Sequence, residues 1–309
     1  MEPPLVNLGD LEPRRVDVGH LRADWTFVGP AAGCRDIGIR RLQIQPGFFS
    51  TPQHVHAHDE ETFFVLGGSG LSVQDDKAYE VRAGGCIVHR EAGEAHTLLA
   101  GDQGLDVLAL GVSHERSSGA RLPRVGMTWS ARSWFESGAG KSPFEREAEL
   151  GPPEVPEPSP RPSSIVNVDE AEADVSDRKN HSGTWRLLGK AAGARRTGLN
   201  HLALDPGQMG APPHCHAAEE ELFVVLGGAG TLLLGEEEIA VKPFDVVARP
   251  AGTGVAHAFV ADADGLTFLA YGPRLPDETV YYPRSNKIYF AGVGVITRVE
   301  KLDYWDGED

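Results

Sequence analysis

The chain has 309 residues, of which 40% are hydrophobic and 24% charged. These values are typical of a globular protein with about two domains. Asp and Glu outnumber Lys and Arg by 45 to 29, so the formal net charge is −16. Because phosphate backbones and anionic membranes attract basic proteins, we expect neither nucleic acid nor a membrane as partner.

Other features of the sequence predict a cytoplasmic location. No apolar stretch approaches the ~20 residues of a membrane-spanning helix. Residues 1–10 lack the basic segment and apolar run of a signal peptide. Cys34, Cys86 and Cys215 are scattered and odd in number, which predicts neither a disulfide framework nor a zinc motif.

The chain contains an internal repeat. Residues 25–70 align with residues 185–230 without a gap, at an offset of 160, and nearly half of the aligned positions are identical. Beyond this block, Gly93 aligns with Gly252 and the following histidine with His257. This alignment predicts that the second copy has one residue fewer in a hairpin and two more before His257. Insertions and deletions belong in loops, so both changes are expected at strand connections.

A proline-rich linker separates the copies at residues 151–163. Such composition favours an extended, semi-rigid segment, so we predict an N-terminal domain at 1–150 and a C-terminal domain at 164–309. Residues 115–150 are rich in Arg, Ser and Gly, and we expect an irregular arm with one short helix at 142–150.

The hydrophobic pattern predicts an all-β fold. In residues 61–66, Glu61, Phe63 and Val65 share one strand face, and the alternate positions are also mostly apolar. Such a strand is buried on both faces. Short apolar runs bounded by Gly, Pro and Asp recur through both copies, and no long amphipathic helix appears. This pattern is typical of closed β-barrels or sandwiches.

A repeated set of histidines and a glutamate carries the chemistry. His54 and His56 lie two residues apart, so on a strand both imidazoles face the same side. Glu61 begins the next strand, and His96 follows 35 residues later. The second copy repeats the whole set: His214, His216, Glu221 and His257.

Three imidazoles and a carboxylate form a good site for a divalent transition metal, one in each barrel. The carboxylate favours Fe or Mn, and Zn, Ni, Co and Cu are alternatives. Four protein ligands leave positions open for substrate. An isolated His-x-His pair more often lies in a turn or on a solvated strand, but recurrence of the full set favours a metal site.

These residues resemble the first motif of the cupin superfamily, a Gly followed by His-x-His, Glu and Gly. The matching positions are Gly47, His54, His56, Glu61 and Gly68, and again Gly207, His214, His216, Glu221 and Gly228. The second motif is less regular. Copy one has Glu91 and Ala100 in place of its Pro and Asn, and copy two has Phe244 in place of its opening Gly.

The chain is therefore similar to a bicupin, which implies tandem jelly-roll-like β-barrels joined by the proline-rich linker. Its C-terminal YYPRSNKI and LDYWDGE segments resemble bacterial bicupins without an assigned reaction. Oxalate decarboxylase-like bicupins carry an Arg shortly before the first motif histidine, and residues 51–53 and 211–213 contain none. We therefore disfavour that subclass. No helix-turn-helix pattern suggests a regulator.

Three further residues are candidate catalytic groups. His58 extends the first pair to HVHAH, and could be a fifth ligand or a proton shuttle, or only a loop histidine. Arg90 and Arg249 both precede the turn of the second motif. They could hold a substrate carboxylate, although salt bridges with surface acids are equally compatible with the sequence.

Several other residues receive simpler interpretations. Strand parity turns Glu60 and Glu220 away from the barrel interior, with a role in supporting the ligands as the alternative. Cys215 should point away from the metal. We expect four apolar residues to line or cap the barrels or to belong to their cores: Phe49, Phe63, Met209 and Phe223. Asp303, Glu308 and Asp309 are expected in a solvated tail.

The leading functional hypothesis is a metal-dependent enzyme for a small organic molecule, specifically an Fe(II)-type, dioxygenase-like oxidoreductase. The alternatives are a metal-dependent isomerase or lyase, and a non-catalytic small-molecule-binding bicupin. A homodimer is compatible with the sequence. We expect the two sites to differ, with copy one slightly favoured because its additional histidines offer a proton shuttle.

Overall fold

The computed structural model describes residues 5–112, 119–130, 133–136 and 140–308, without the side chains of 134–136. The segment before the linker contains β1 (Leu5–Asn7), β2 (Arg14–Val18), β3 (Leu21–Phe27), α1 (Gly29–Ala32), β4 (Ile37–Ile44), β5 (Val55–His56), β6 (Glu61–Gln74), β7 (Lys77–Arg82), β8 (Gly85–His89), β9 (His96–Val112), β10 (Ala120–Leu122), β11 (Met127–Ser130), β12 (Ser133–Glu136) and α2 (Pro143–Leu150).

The segment after the linker repeats this order. It contains β13 (Ile165–Asn167), β14 (Asp174–Arg178), β15 (His181–Arg186), α3 (Leu188–Ala191), β16 (Thr197–Leu204), β17 (Cys215–His216), β18 (Glu221–Leu234), β19 (Glu237–Val241), β20 (Asp245–Arg249), β21 (His257–Pro273), β22 (Thr279–Tyr282), β23 (Lys287–Phe290) and β24 (Val295–Arg298). Three short 3-10 turns lie at Leu8–Asp10, Pro283–Ser285 and Ala291–Val293.

The strands of the described residues form two large and two small antiparallel sheets. One eight-stranded sheet has the order β13-β8-β6-β9-β4-β3-β2, and the other has the order β1-β20-β18-β21-β16-β15-β14; β7 and β19 pair with β6 and β18. The four-stranded sheets are β12-β11-β10-β5 and β17-β22-β23-β24. The tandem all-β prediction is confirmed, although the described pairings leave the large sheets open.

The two halves exchange their first strands. β1 pairs with β20 in the C-terminal half, and β13 pairs with β8 in the N-terminal half. A division of the chain at the linker does not anticipate this exchange. Each large sheet is completed by three residues from the other copy, so the halves share backbone hydrogen bonds as well as side-chain packing.

Strand β6 is buried on both faces, as predicted. Phe63 and Val65 pack with Leu42 inside the N-terminal half. Phe64 belongs to a larger cluster that joins the halves and includes Leu222. Phe223 takes the position of Phe63 in the interior of the C-terminal half. The repeated strand thus provides one face for the interior and the other for the interface.

Glu60 and Glu220 bind the opposite half across this interface. Glu60 is 2% exposed, and its carboxylate accepts backbone hydrogen bonds from Arg195, Arg196 and Thr197. Glu220 is 1% exposed and accepts those of Arg35, Asp36 and Ile37. Both side chains point away from the interior, as their parity predicts, and they are buried between the halves.

The segment predicted as an irregular arm is largely ordered within its described residues. Strands β10, β11 and β12 form a sheet with β5. The predicted short helix is confirmed as α2, whose N-terminus is capped by Ser142 in a reciprocal arrangement with Glu145. The irregular-arm prediction was wrong because short strands with polar faces resemble loops in sequence.

The predicted hairpin deletion is also wrong. Gly70 pairs with Val81, and Gly230 pairs with Val241, so the offset of 160 is unchanged in this hairpin. In the next turn, Ala92 donates to the His56 carbonyl as Gly252 does to that of His216. The second copy therefore gains one residue, between this turn and the last histidine of the set.

None of the described residues belongs to a helix with the length and apolar character needed to cross a membrane.

Candidate metal centres

The first candidate centre forms where three strand ends meet. Its four residues are His54, His56, Glu61 and His96, whose ligand atoms all lie within 4.8 Å of one another. Glu61 Oε2 lies 3.0 Å from His96 Nε2, 3.3 Å from His56 Nε2 and 3.6 Å from His54 Nε2. Ligands about 2.1 Å from one ion lie ~3 Å apart at right angles, so this donor set fits one divalent metal.

The second centre repeats the arrangement with His214, His216, Glu221 and His257. Glu221 Oε2 lies 2.9 Å from His257 Nε2, 3.0 Å from His216 Nε2 and 3.9 Å from His214 Nε2. The inserted residue does not displace His257 from the set. The structure therefore brings together both predicted groups, and each suits one divalent transition metal.

Backbone pairing explains why the distant histidine joins each set. The amides and carbonyls of His54 and His96 bond reciprocally, at 3.1 and 2.8 Å. His214 and His257 form the same pair at 3.2 and 2.8 Å. Because residues directly opposite in an antiparallel pair place their side chains on one face, the two imidazoles become neighbours.

The Nδ1 atoms of several ligands are held by carbonyl oxygens. His54 Nδ1 lies 3.0 Å from the Pro52 carbonyl, and His214 Nδ1 lies 2.8 Å from that of Pro212. An imidazole that donates from Nδ1 presents an unprotonated Nε2, which is the form that binds a metal.

Glu278 supports His216 in the second centre, and sequence analysis did not identify it. Its carboxylate lies 3.3 Å from His216 Nδ1 and is 2% exposed. It also accepts the backbone hydrogen bonds of Ala217, Ala218 and Glu219. Glu278 lies between β21 and β22, outside the repeated motif, so no spacing rule could have connected it with His216.

The electrostatics of both centres favour ionised glutamates. Burial alone would raise the pKa of Glu61, but His56 and hydrogen bonds from the other imidazoles hold it well below its usual range. Burial lowers the pKa of His214 to about 4, with a further contribution from His257. Burial also opposes protonation of His56, but Glu61 outweighs it and raises the pKa of His56.

The centres differ at the residue opposite the ligand glutamate. Glu61 pairs with His89, and Glu221 pairs with Arg249, so these two residues correspond. The sequence alignment paired Arg249 with Arg90, which is wrong because the misplaced deletion shifted β8 by one residue. His89 stacks on His96 with ring centroids 3.6 Å apart, and burial lowers its pKa well below the usual range.

Arg249 lies close to the second centre, as the sequence-based proposal of a catalytic role requires. It is 7% exposed and donates to the Val255 carbonyl at 3.1 Å and to Thr253 Oγ1 at 3.4 Å. Burial lowers the pKa of Arg249, and the nearby carboxylate of Glu221 partly offsets this effect. A catalytic contribution from this residue stays a prediction.

The structure places the other two predicted catalytic residues elsewhere. His58 is exposed, and its carbonyl accepts a hydrogen bond from Arg196 Nη1 at 2.7 Å. Arg90 is exposed and donates to the Gly193 carbonyl at 3.0 Å in the opposite half. Neither side chain joins the first cluster, because β5 ends at His56 and Arg90 lies just after β8.

Cys215 is 8% exposed, and burial raises its pKa. A raised pKa keeps the thiol protonated and unreactive, in agreement with the predicted structural role.

Of the acidic residues predicted in a solvated tail, Asp303 and Glu308 are exposed, and Asp309 lies outside the described residues.

A cavity of about 640 Å³ adjoins the first centre, and all four cluster residues contribute to its wall. Arg40 is a further wall residue that sequence analysis did not identify. It shares a strand face with Leu42 and Ile44, and this alternation was the available signal. Helix α2 closes part of the cavity through Phe144, whose ring meets Trp25 edge-on at 5.7 Å.

The second centre has a different neighbour. Strand β22 pairs with β17 and brings Tyr282 onto His214, with ring centroids 5.7 Å apart and an interplanar angle of 27°. Burial raises the pKa of Tyr282. The position equivalent to Tyr282 in the first copy is Leu122, because Ala120 pairs with His56 as Val280 pairs with His216.

Comparisons with known proteins agree with this architecture. The family profile described as "Cupin domain" matches residues 40–110 and 200–270. The chain also resembles the Lactobacillus farciminis oxalate decarboxylase in its formate complex, with a TM-score of 0.60 and 15% identity over 87% of this chain and 85% of that one. A comparison with curated proteins finds no match.

A second solved structure gives the same result. Oxalate decarboxylase from Bacillus subtilis, in the study of its Mn(II) centres, aligns with a TM-score of 0.58 and 14% identity over 86% of this chain and 76% of that one. Identities this low show a shared fold and do not establish a shared reaction. With the cupin domain found twice and a matching two-part fold, the chain is a bicupin of the cupin superfamily.

Proposed function

We propose that this bicupin is a divalent-metal-dependent lyase that removes CO₂ from a small organic acid in its N-terminal cavity. The observation that carries the proposal is the placement of Arg40 on the wall of the cavity formed by the first His/Glu cluster. Manganese is the favoured metal, since a structurally similar bicupin is described with Mn(II) centres. The donor set also suits iron.

The proposed reaction is non-oxidative decarboxylation. The bond between the carboxyl carbon and its neighbour breaks, CO₂ leaves, and the remaining carbon takes up a proton. A bound metal would supply a Lewis acid at positions left open by its four protein ligands. Arg40 would bind a carboxylate through paired N–H groups.

Other residues of the chain contribute position and a proton. His89 stacks on His96 and restricts the orientation of that ring. Asp59 lines the cavity outside the metal cluster, and we assign it the delivery of the proton. Trp25 and Phe144 form an apolar part of the wall, and we assign them the role of limiting the access of water, which would strengthen the electrostatic interactions inside.

The dioxygenase-like activity predicted from sequence gains no support from the comparisons, and the lyase alternative is closer to the known activity of the similar structures. The absence of an Arg before the first motif histidine remains a difference from the oxalate decarboxylase pattern. In this chain we assign the carboxylate-binding role to Arg40 on β4. A cytoplasmic location and a homodimer stay predictions.

The test is to load the purified protein with Mn²⁺ and incubate it with a panel of carboxylic acids, measuring released CO₂ and dissolved oxygen together. We expect CO₂ release without stoichiometric oxygen consumption, and loss of activity after chelation. One oxygen consumed for each substrate would instead establish an oxygenase. Saturable binding without turnover of any acid would support a non-catalytic bicupin.

A further inference from the structure

The N-terminal cavity has a basic wall. Arg40 and Leu42 alternate along β4 and line the cavity, and Arg14 lines it from β2. Arg14 is directly opposite Trp25, which is opposite Leu42 in the next strand. These three strands therefore present one continuous face to the cavity, with apolar side chains between two guanidinium groups.

The partners of the arginines distinguish the two faces of these strands. Arg15 and Arg41, which follow the cavity arginines in sequence, face away from the cavity. Arg41 Nη2 lies 2.6 Å from Asp106 Oδ2, and Arg15 Nη1 lies 3.4 Å from an Asp24 oxygen. Within the described part of the chain, Arg14 and Arg40 have no such ion pair. Asp59, Glu60 and Glu61 also line the cavity, but the two guanidinium groups remain available to the carboxylate of a bound ligand.

Arg40 borders the same cavity as the first metal cluster, whose His56 and Glu61 also line it. Its guanidinium carbon is 5.9 Å from the centroid of the Trp25 ring. A carboxylate bound to Arg40 would therefore lie near the cluster and near an aromatic surface.

This charge is specific to one copy of the repeat. At the offset of 160, Arg14 corresponds to Asp174 and Arg40 corresponds to Asn200. The apolar positions between them are retained, since Trp185 is opposite Leu202 as Trp25 is opposite Leu42. The apolar scaffold is thus common to both halves, whereas arginines occupy these two positions in the N-terminal half only.

The rest of the cavity wall is too apolar and too large for a minimal diacid. Its aromatic members come from β3, β6, β11 and α2: Trp25, Phe27, Phe63, Trp129 and Phe144. Its volume of about 640 Å³ falls within the range of ~300–1000 Å³ that accommodates drug-sized ligands. An acid of six heavy atoms would leave most of this apolar surface in contact with water.

We infer that the N-terminal cavity binds an amphipathic monocarboxylic acid with an aryl or bulky alkyl body. The carboxylate would pair with Arg40, and the body would lie against Trp25 and Phe144. This inference deepens the proposed function by naming the substrate class, and it rests on that function only in treating the bound acid as the reactant.

The test measures binding separately from turnover. Calorimetry on the Mn²⁺-loaded protein compares 3-phenylpropionate, its uncharged amide and oxalate. We expect the aryl acid to bind at least about tenfold more tightly than the amide, because hydrogen bonds to charged groups are stronger, and more tightly than oxalate. Arg40→Asn, which introduces the residue of the second copy, should remove this preference while the metal content stays unchanged.

Arg15→Gln is the matched control, since Arg15 faces away from the cavity, and it should bind the aryl acid like the original protein. Equal affinities for acid and amide, an unaffected Arg40→Asn variant, or oxalate binding as tight as the aryl acid would each overturn the inference. Aryl-acid binding that depends on Arg40 without CO₂ release from any acid would support this ligand class and refute the lyase. CO₂ release from oxalate without aryl-acid binding would do the reverse.

Discussion

Replacing Glu60 by alanine should lower the free energy of unfolding by about 3 kcal/mol. The Glu60 carboxylate accepts hydrogen bonds from Thr197 N at 3.0 Å and Thr197 Oγ1 at 2.6 Å, both buried between the halves. Each buried donor left without a partner costs about 1–3 kcal/mol. The amides of Arg195 and Arg196 also lose a partner, but these residues are exposed and water can replace it.

Urea unfolding followed by circular dichroism measures this effect through the midpoint and slope of the transition. Glu220→Ala should lower the free energy of unfolding by less, about 1–3 kcal/mol, because only one of its three donors, the Ile37 amide, is buried. Glu238 is exposed on β19 and supplies a control: Glu238→Ala should change stability by less than about 0.5 kcal/mol. A loss below about 1 kcal/mol in Glu60→Ala would refute the role assigned to this contact.

Three further predictions concern the metal sites and two glycines with positive φ. Metal affinity, measured by chelator competition, should fall as pH drops from about 8 to about 6. The reason is that ligand imidazoles must be neutral, and Glu61 raises the pKa of His56 above its usual ~6.5. An affinity that does not change with pH would contradict this. Glu278→Gln should weaken one of the two bound metals by about 10–100-fold through loss of its support of His216, and unchanged affinity at both sites would contradict it. Gly68→Ala should lower the thermal unfolding midpoint more than Gly47→Ala. Both glycines have φ of 76°, but an added Cβ overlaps backbone atoms only at Gly68. Equal losses of stability in the two variants would contradict this.

The repeat and the two ligand sets could be predicted because both depend on local sequence. Side chains two residues apart on a strand share a face, so His54 and His56 had to point together. Burial of both faces of β6 followed from the apolar residues at odd and even positions. Duplication supplied a second instance of each signal, which separated the metal set from chance histidine pairs.

Other features depend on backbone conformation or on long-range contacts. Ala92 has φ of 50°, and Gly252 has φ of 70° at the same point of the turn. Matching glycine to glycine placed Gly93 there instead, and so associated Arg249 with Arg90. The exchange of β1 and β13 leaves no signature in the sequence of either strand, because a short apolar strand does not specify which sheet it joins.

The basic wall of the cavity was missed for a related reason. Arginines that recur in both copies stand out in the sequence, whereas Arg40 corresponds to Asn200 and does not recur. Duplicated residues identify what both halves require, which here is the metal site. Residues that differ between the copies at equivalent cavity positions indicate where the two halves have diverged in ligand binding.

The central claim is that both centres bind metal and that the N-terminal centre carries the reaction. Metal analysis and CO₂ release should be measured together on the original protein and on the His54→Ala and His214→Ala variants. We predict about two metal equivalents in the original protein and about one in each variant, with activity lost in His54→Ala and largely retained in His214→Ala. Equal, partial losses of activity in the two variants, or activity lost only in His214→Ala, would contradict the claim.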